Sequence, residues 1–488
     1  MKRSVKLSIY KLTLILFAFA APFNLLATVK SNPLNFPGAA NAKIGIYIED
    51  LSTGEVLYDV NGLTPLLPAS ITKSITTASI LTLRDSSFRY NTEVVIEGLV
   101  EKGNLKGNVI VRCVGDPTIE SSHFKNTSGF ADSIAAALAS MGIKNVEGTV
   151  IIDESKVPYS LEPKGWVDED IVWPYGSNHY GANYKDNKFV LNFSTGTSTP
   201  FVPDLRIAHT PAKGALRIRR DRGTSVIRSE GTSKKNEAVT VAMPNPGLVM
   251  RNDIIAAIKN NEITIGEVAY KNPENNETLI YVYESPQLNE ILRSLMFRSD
   301  NMMAESMLRL IAPGKTRAEA VKTELEMWEL RDIDTEQIVL EDGSGLSRND
   351  RLTPYFMADV FEWMASHVKA KEFISLFPKA GKDGTMRNFL KETPLEGKIA
   401  MKTGSMKRMQ SYAGYKLGAD GLPTHIIVFM INGFDCDRSA VVTQVENLLL
   451  KIFEPNYQRP IKETRPVVTK KNTAQKSNTK KQVQKKKR

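Results

Sequence analysis

Two groups of predicted β-strands lie at opposite ends of this chain, and they constrain its fold more than any other feature. Residues 44–60 alternate apolar and polar positions on either side of a Ser-Thr-Gly turn, a pattern that predicts a β-hairpin. Strand-like stretches follow at 399–405, 411–418 and 425–433, and an amphipathic helix comes after them. The hairpin can join a sheet with those distant strands only if the chain between them is an excursion. We therefore expect a discontinuous domain.

The chain between these two groups has a part with a strand pattern and a part with a helical pattern. Between about 90 and 280, short apolar runs and frequent turns predict a β-rich insertion with one helical stretch at 130–141. Helical periodicity returns over 285–311, 316–330 and 354–366, and another helix is predicted to begin near Ser70. A chain of 488 residues is expected to form two or three folded units.

The net charge of +10 is unevenly distributed along the chain. Residues 457–488 contain twelve Lys and Arg but one acid, Glu463, whereas residues 30–456 carry a net charge of −5. Nucleic-acid binding needs basic residues spread over the fold, so no nucleic-acid partner is expected. The tail at 457–488 has almost no large apolar residue and is expected to be disordered. It is either a solvated tail or an electrostatic tether to an anionic polymer or membrane surface.

The N-terminus has the pattern of a secretory signal peptide over residues 1–27, because a basic segment precedes an apolar run and small residues. The apolar run is shorter than the ~20 residues that span a bilayer, which disfavours an uncleaved anchor. We expect export, with cleavage after Ala20 or Ala27. Cys113 and Cys436 are the two cysteines, and they could form one bridge or remain two buried thiols.

Several catalytic chemistries find no support in the sequence. The five histidines never pair at i, i+4, and no HExxH motif occurs, so we expect neither a metal nor another cofactor. The triplet Gly314-Lys315-Thr316 follows a predicted helix, unlike the end of a phosphate-binding loop. No GxSxG elbow is present, and no histidine lies near a well-placed serine. A serine nucleophile would therefore need a different base.

Ser70-Ile71-Thr72-Lys73 offers such a base. Residues at i and i+3 share one face of a helix, so the Lys73 amine can reach the Ser70 hydroxyl. The amine must lose its proton near neutral pH, which requires burial or a neighbouring cation, for which Lys402 is a candidate, to lower its pKa. The helix N-terminus would also stabilise an oxyanion beside Ser70. This spacing suits acyl transfer.

Two more motifs accompany this one in chain order: Ser299-Asp300-Asn301, between two predicted helices, and Lys402-Thr403-Gly404-Ser405, on a predicted strand. Together they resemble the S-x-x-K, S-x-N and K-T-G motifs of the serine penicillin-recognising enzymes. The stretches GDPTI (115–119), DGSGLSRND (342–350) and DGTMRNFL (383–390) narrow the resemblance. They are similar to the D-alanyl-D-alanine carboxypeptidase/endopeptidase family of low-molecular-mass penicillin-binding proteins over about residues 35–455.

The resemblance implies a role for each matching residue of the first two motifs. Ser70 is implied to be the acylated nucleophile and Lys73 its general base. Ser299 is implied to relay a proton toward the leaving D-alanine amine. Asn301 is implied to hold the peptide carbonyl and to position Lys73, while Asp300 supports the turn.

The third motif is implied to recognise the substrate's end. Lys402 would place positive charge near the nucleophile and the terminal carboxylate, to which Thr403 and Ser405 donate hydrogen bonds. Gly404 would let the backbone and the ligand approach closely. The oxyanion hole is implied to consist of the N–H groups of Ser70 and Ser405, with the substrate peptide lying along the strand.

Three further stretches lie outside these motifs. Asp153, followed by Glu154, resembles an acidic segment that in some family members binds the amino group of a diaminopimelate side chain. Tyr270-Lys271-Asn272 is a candidate Y-x-N motif of a lactamase and esterase branch, although it lies in a polar loop. DGSGLSRND can be a Gly-rich turn, and Trp166 and Trp173 are interpreted as core residues.

The resemblance implies an α+β fold, with an antiparallel sheet flanked by helices and one or two β-rich inserts. The expected divisions are a catalytic penicillin-binding domain (35–88 and 282–456), inserted domain(s) (89–281) and the tail. The expected function is that of an exported, periplasmic or envelope-associated serine DD-peptidase that cleaves D-Ala-D-Ala ends and D-Ala cross-links of peptidoglycan peptides and is inhibited by β-lactams. The alternatives are a β-lactamase or esterase, disfavoured because no E-x-x-L-N stretch occurs, and a non-catalytic wall-binding protein.

Overall fold

The computed structural model describes residues 32–232, 237–274 and 276–459. The predicted signal peptide at 1–27 and nearly all of the predicted tail at 457–488 lie outside the described residues. Within the described ranges no helix is long and apolar enough to cross a bilayer.

Near both ends of the described chain, the strands and helices have bounds close to those predicted. The strands are β1 (Lys43–Asp50), β2 (Val56–Val60), β3 (Asn91–Glu101), β4 (Asn104–Arg112), β5 (Asn145–Val146), β6 (Val150–Asp153), β7 (Lys188–Asn192), β8 (Thr197–Thr199), β9 (Arg206–Ala215), β10 (Arg217–Arg220), β11 (Val226–Thr232), β12 (Ala238–Ala242), β13 (Thr264–Ile265), β14 (Glu277–Glu284), β15 (Ile399–Met406), β16 (Met409–Leu417) and β17 (Pro423–Asn432). The helices are α1 (Thr72–Leu83), α2 (Phe130–Ser140), α3 (Pro246–Asn260), α4 (Leu288–Arg298), α5 (Asn301–Ile311), α6 (Arg317–Glu329), α7 (Pro354–Ser366), α8 (Ala370–Ser375) and α9 (Arg438–Phe453).

One antiparallel sheet combines strands from both ends of the chain, in the order β15-β16-β17-β1-β2. The predicted hairpin forms it with the three predicted C-terminal strands, and β1 pairs with β17 along its whole length. Alternate residues of β17 face opposite layers: Ile426 and Val428 pack with α1, α5 and α7, whereas Ile427 and Phe429 pack with α9. Helices therefore cover both faces of this sheet, and the α+β fold class is confirmed.

The chain from β3 to β14 forms separate sheets. A six-stranded sheet has the order β13-β5-β4-β3-β14, with β6 also paired to β4, and two three-stranded sheets accompany it. Helices α2 and α3 bury one face each against a shared core. Helix α3 was not among the predicted helices, although the Asn245 side chain caps it by accepting from the Leu248 N–H and Pro246 occupies its first turn. This region is therefore less purely β than expected, and its division from the catalytic region stays a prediction.

The two cysteines are unpaired in the structure. Cys113 is buried in the core shared by α2 and α3, and half-buried Cys436 packs beside α9. Of the two possibilities left open by the sequence, the structure has separate thiols.

Candidate active site

Ser70 lies in a single 3-10 turn, Ala69–Ile71, that leads directly into α1. Ala69 has φ of +49°, in the left-handed region that costs residues other than glycine free energy. The backbone is thus strained immediately before a half-buried serine. One turn later, the Lys73 Nζ lies 3.0 Å from the Ser70 Oγ. The geometry predicted from the i, i+3 spacing is present.

The Lys73 amine is fully buried and held at three points. Its Nζ lies 2.6 Å from Asn301 Oδ1 and 2.5 Å from the Ser344 carbonyl oxygen, besides the Ser70 hydroxyl. Burial lowers the pKa of Lys73 from 10.5 to about 8, against the carboxylates of Asp342 and Glu305, which raise it. An unprotonated amine still donates two hydrogen bonds and has a lone pair left for the Ser70 proton.

The predicted Ser-Asp-Asn motif forms the junction between α4 and α5. Ser299 ends α4 with φ of +60°, and Asp300 caps α5 by accepting a hydrogen bond from the Met303 N–H. Asn301 begins α5, and its amide Nδ2 donates to the Tyr175 carbonyl at 2.6 Å. Both ends of this amide are therefore used, one toward Lys73 and one toward the chain between β6 and β7.

Lys402 is a second fully buried amine. Its Nζ donates to the Ser299 Oγ at 2.8 Å and to the Thr403 carbonyl at 2.8 Å. Burial, and then the charge of Lys73, lower the pKa of Lys402 well below its usual value. Of the two causes expected to lower the pKa of Lys73, burial and a neighbouring cation such as Lys402, burial is the main one.

Strand β15 carries the third motif at the edge of its sheet. A Cβ at Gly404 would lie 2.8 Å from the Pro68 carbonyl and 3.0 Å from the Ser70 nitrogen, so the strand backbone packs directly against the Ser70 turn. Thr403 Oγ1 lies 2.8 Å from Thr385 Oγ1, and Ser405 is exposed. The predicted residues of all three motifs thus lie close together.

The segment 342–347 belongs to the site, which its interpretation as a Gly-rich turn did not anticipate. Asp342 accepts hydrogen bonds from the backbone N–H groups of Ser344, Gly345 and Ser347 at 2.6 to 3.1 Å. Trp166 is a buried core residue, as predicted, but its Nε1 also donates to Asp342 at 2.6 Å. These four bonds fix the turn whose Ser344 carbonyl meets Lys73.

A buried ion pair supports this segment from the other side. Glu305 accepts hydrogen bonds from the Gly343 N–H at 3.1 Å and from the Arg317 Nε at 2.9 Å. Burial, and then the charge of Asp342, raise the pKa of Glu305 to about 7. Such a pair costs desolvation and is best understood as fixing geometry.

Two sequence candidates lie elsewhere in the structure. Asp153 ends β6 and accepts a hydrogen bond from the Ser155 N–H. Hydrogen bonding by the Ser155 side chain, and then by its backbone, lowers the pKa of Asp153, and the Arg112 charge adds to this. Tyr270 shares backbone hydrogen bonds with the Asn108 side chain, on β4. These two bonds join Tyr270 to the inserted sheet, so Tyr270 is not placed with the residues of the three motifs. A role for Asp153 in substrate binding stays a prediction.

Comparison with known proteins gives a match over most of the chain. The model of the D-Ala-D-Ala carboxypeptidase 3 (S13) family matches residues 25–449. The D-alanyl-D-alanine carboxypeptidase DacB of Haemophilus influenzae is 25% identical over 467 residues, which cover 88% of this chain and 94% of that protein. The D-alanyl-D-alanine carboxypeptidase of an Actinomadura species is 26% identical, covering 80% of this chain and 78% of that one.

Solved structures show the same fold. Penicillin binding protein 4 (dacB) from Haemophilus influenzae superposes with a TM-score of 0.73 at 23% identity, covering 86% of this chain and 98% of that one. A predatory peptidoglycan endopeptidase from Bdellovibrio bacteriovorus gives a TM-score of 0.51 at 15% identity, covering 86% of this chain and 95% of that one.

Proposed function

The chain belongs to the D-Ala-D-Ala carboxypeptidase 3 (S13) family, and on that premise we propose that Ser70 attacks the D-Ala-D-Ala bond of peptidoglycan peptides to form an acyl-enzyme. The resemblance to low-molecular-mass penicillin-binding proteins is confirmed, and the protein is a serine DD-peptidase, a hydrolase. The observation that carries the assignment to Ser70 is the position of the buried Lys73 amine, 3.0 Å from the Ser70 Oγ.

Acylation begins with proton transfer from the Ser70 hydroxyl to the unprotonated Lys73 amine. The oxygen then bonds to the carbonyl carbon of the penultimate D-alanine. The N–H groups of Ser70 and Ser405 stabilise the negative charge that develops on the carbonyl oxygen. Support for this pairing comes from Gly404, since the absence of its side chain lets β15 approach the Ser70 turn.

Collapse of the tetrahedral intermediate breaks the peptide bond, and the leaving amine of D-alanine takes the proton that Lys73 removed from Ser70. Ser299 is suited to pass that proton, because its Oγ already accepts a hydrogen bond from the Lys402 Nζ at 2.8 Å. Water then attacks the ester, releasing the shortened peptide and restoring the Ser70 hydroxyl. We extend the same chemistry to D-Ala cross-links, where the leaving amine belongs to a second stem peptide.

A β-lactam would acylate Ser70 in the same way, but the opened ring stays attached. We expect brief incubation with benzylpenicillin to add the mass of one penicillin to the wild-type protein, and expect Ser70→Ala to add none. Intact-protein mass spectrometry over several hours measures both, with protein lacking residues 1–27. A long-lived adduct supports the DD-peptidase.

Two results would contradict this proposal. Rapid release of hydrolysed penicillin would indicate a β-lactamase. An adduct on the Ser70→Ala variant would mean that a residue other than Ser70 is acylated.

Lys402 is proposed to bind the terminal carboxylate of the substrate, with Thr403 and Ser405. A charge-assisted hydrogen bond of about 2 kcal/mol corresponds to about 30-fold in kcat/KM. We therefore expect Lys402→Ala to reduce kcat/KM by about that factor for an acylated tripeptide ending in D-Ala-D-Ala. The reduction should be much smaller for the same peptide with a C-terminal amide.

Lys407→Ala, which changes an exposed lysine just after β15, is the matched control. Equal losses of kcat/KM with both peptides in Lys402→Ala would contradict the assignment.

The bacterial cell-wall enzymes of the family act in the cell envelope, and we propose the periplasm or envelope for this chain, reached through the predicted signal peptide. The basic tail at 457–488 is proposed to hold it at an anionic polymer or membrane surface.

A further inference from the structure

A cavity lies away from Ser70, where the ends of α1 and α5 meet the chain between β4 and β7. Its volume is about 350 Å³, within the range of small-molecule sites. Arg84 follows α1, and Arg309 lies in the last turn of α5; the opposite ends of these helices carry Lys73 and Asn301. At 1.5 Å per residue, Arg84 is roughly 16 Å along α1 from Lys73. The cavity is therefore separate from the reacting atoms.

The charges that line the cavity are all positive. Arg84, Arg89, Lys156 and Arg309 contribute to its walls, and its described lining contains no Asp or Glu. The C-terminal ends of α1 and α5 offset about half a charge each, and the charges of Glu305 and Glu319 act on Arg309 from outside the lining. Asp85, next to Arg84 in the chain, accepts hydrogen bonds from Ser87, and Asp116, next to Gly115, accepts hydrogen bonds from Thr118, while burial raises the pKa of Asp116 to about 7. The cavity favours an anion.

Three buried polar atoms of the lining have no hydrogen-bond partner among the described residues: Arg84 Nε, Arg309 Nε and His179 Nδ1. Arg309 is 6% exposed and His179 is 3% exposed. Buried polar atoms are nearly always paired, because an unpaired one loses its hydration without compensation. All three atoms are inaccessible to solvent, so a polar ligand in the cavity would pair with them only after these side chains turn toward it.

The His179 ring identifies the kind of atom it needs. Its Nε2 lies 2.9 Å from the Gly115 carbonyl oxygen, so Nε2 must be the donor. Burial lowers the pKa of His179 to about 3, which keeps the ring neutral. Its Nδ1 therefore carries a lone pair, and a ligand must offer it an N–H or O–H. The two arginines require an acceptor instead.

We propose that this cavity binds a small carboxylate that also has a neutral N–H or O–H donor and an apolar body, the chemistry of an N-acylated amino acid. The Arg84 guanidinium and the Nε–H of Arg309 match a carboxylate, and His179 Nδ1 accepts from the amide N–H. The other Arg309 nitrogens already donate, Nη1 to the Ser160 Oγ at 3.1 Å and Nη2 to the Pro158 carbonyl at 2.7 Å. Phe88, Val114 and Leu310 supply an apolar surface for the side chain. An ammonium group is disfavoured by the four cations.

Isothermal titration calorimetry of the protein with N-acetylphenylalanine tests the proposal, with N-acetylphenylalanine amide as the uncharged control. We expect the carboxylate to bind with a Kd of about 1 mM or tighter, and the amide at least about tenfold more weakly. Lys156→Glu should weaken carboxylate binding about fivefold or more, whereas Lys371→Glu, an exposed lysine on α8, should leave it unchanged.

Arg309→Lys keeps a positive charge but removes the Nε donor, and we expect it to weaken binding about tenfold. If that buried substitution prevents folding, carboxylate binding by the exposed Lys156→Glu variant tests the proposal instead. Because Lys402 is proposed to bind the substrate carboxylate at the Ser70 site, Lys402→Ala is included and should leave this binding unchanged. Equal binding of acid and amide, loss of binding in Lys402→Ala, or no binding of the acid would each overturn the proposal.

Discussion

Replacing Lys73 by methionine is expected to slow acylation of Ser70 by benzylpenicillin about 10³-fold, the contribution of a well-placed general base. Methionine fills a similar volume but cannot accept the Ser70 proton. The rate of adduct formation, followed by intact-protein mass spectrometry, measures the loss. For the wild-type protein this rate should rise with pH through a midpoint of about 8, because the unprotonated amine is the active form. The residual rate of the variant should lack that rise.

Lys73→Arg separates the base from its charge. A guanidinium does not give up its proton in proteins, so this variant should be as slow as Lys73→Met. If Lys73→Arg acylates at the wild-type rate, Lys73 acts only as a cation and another group removes the proton.

The elements that the sequence predicted well are those whose local pattern agrees with their tertiary surroundings. The hairpin of β1 and β2 alternates apolar residues, and α7 begins with Thr353 as its cap and Pro354 in its first turn. Helix α3 was not predicted, although Asn245-Pro246 is a start signal, because the short apolar runs around it led us to expect a β-rich insertion with a single helix at 130–141. The error was to expect strands in every other segment of this region because most of its segments have a strand pattern.

The site was predictable where it depends on spacing along one helix. Lys73 reaches Ser70 because they are one turn apart, but it reaches Asn301 across 228 residues and the Ser344 carbonyl across 271. Motif resemblance supplied the first of these distant partners. Nothing in the sequence supplied the second, because every residue has a carbonyl group and only the fold determines which one faces the amine.

Substituting Asp342 by asparagine is expected to slow acylation about 10- to 100-fold and to move the pH midpoint below that of the wild type. The Asp342 charge is the largest influence that raises the pKa of Lys73, so neutralising it lowers that pKa further. The asparagine Nδ2 also cannot accept from the Trp166 Nε1 and the Ser347 N–H, which now share one carboxylate oxygen. The turn that holds the Ser344 carbonyl against Lys73 then shifts. Rates of penicillin acylation from pH 6 to 10 measure both effects.

Trp166→Phe is the matched control, because it removes one donor from the same carboxylate oxygen and leaves the charge in place. Its acylation rate should fall less, and its midpoint should stay at that of the wild type, about 8. A midpoint that shifts equally in both variants would mean that displacement of the turn controls the pKa of Lys73. An unchanged midpoint in Asp342→Asn would mean that burial alone sets it. Only a shift confined to Asp342→Asn shows that this carboxylate tunes the catalytic base while its hydrogen bonds hold the turn.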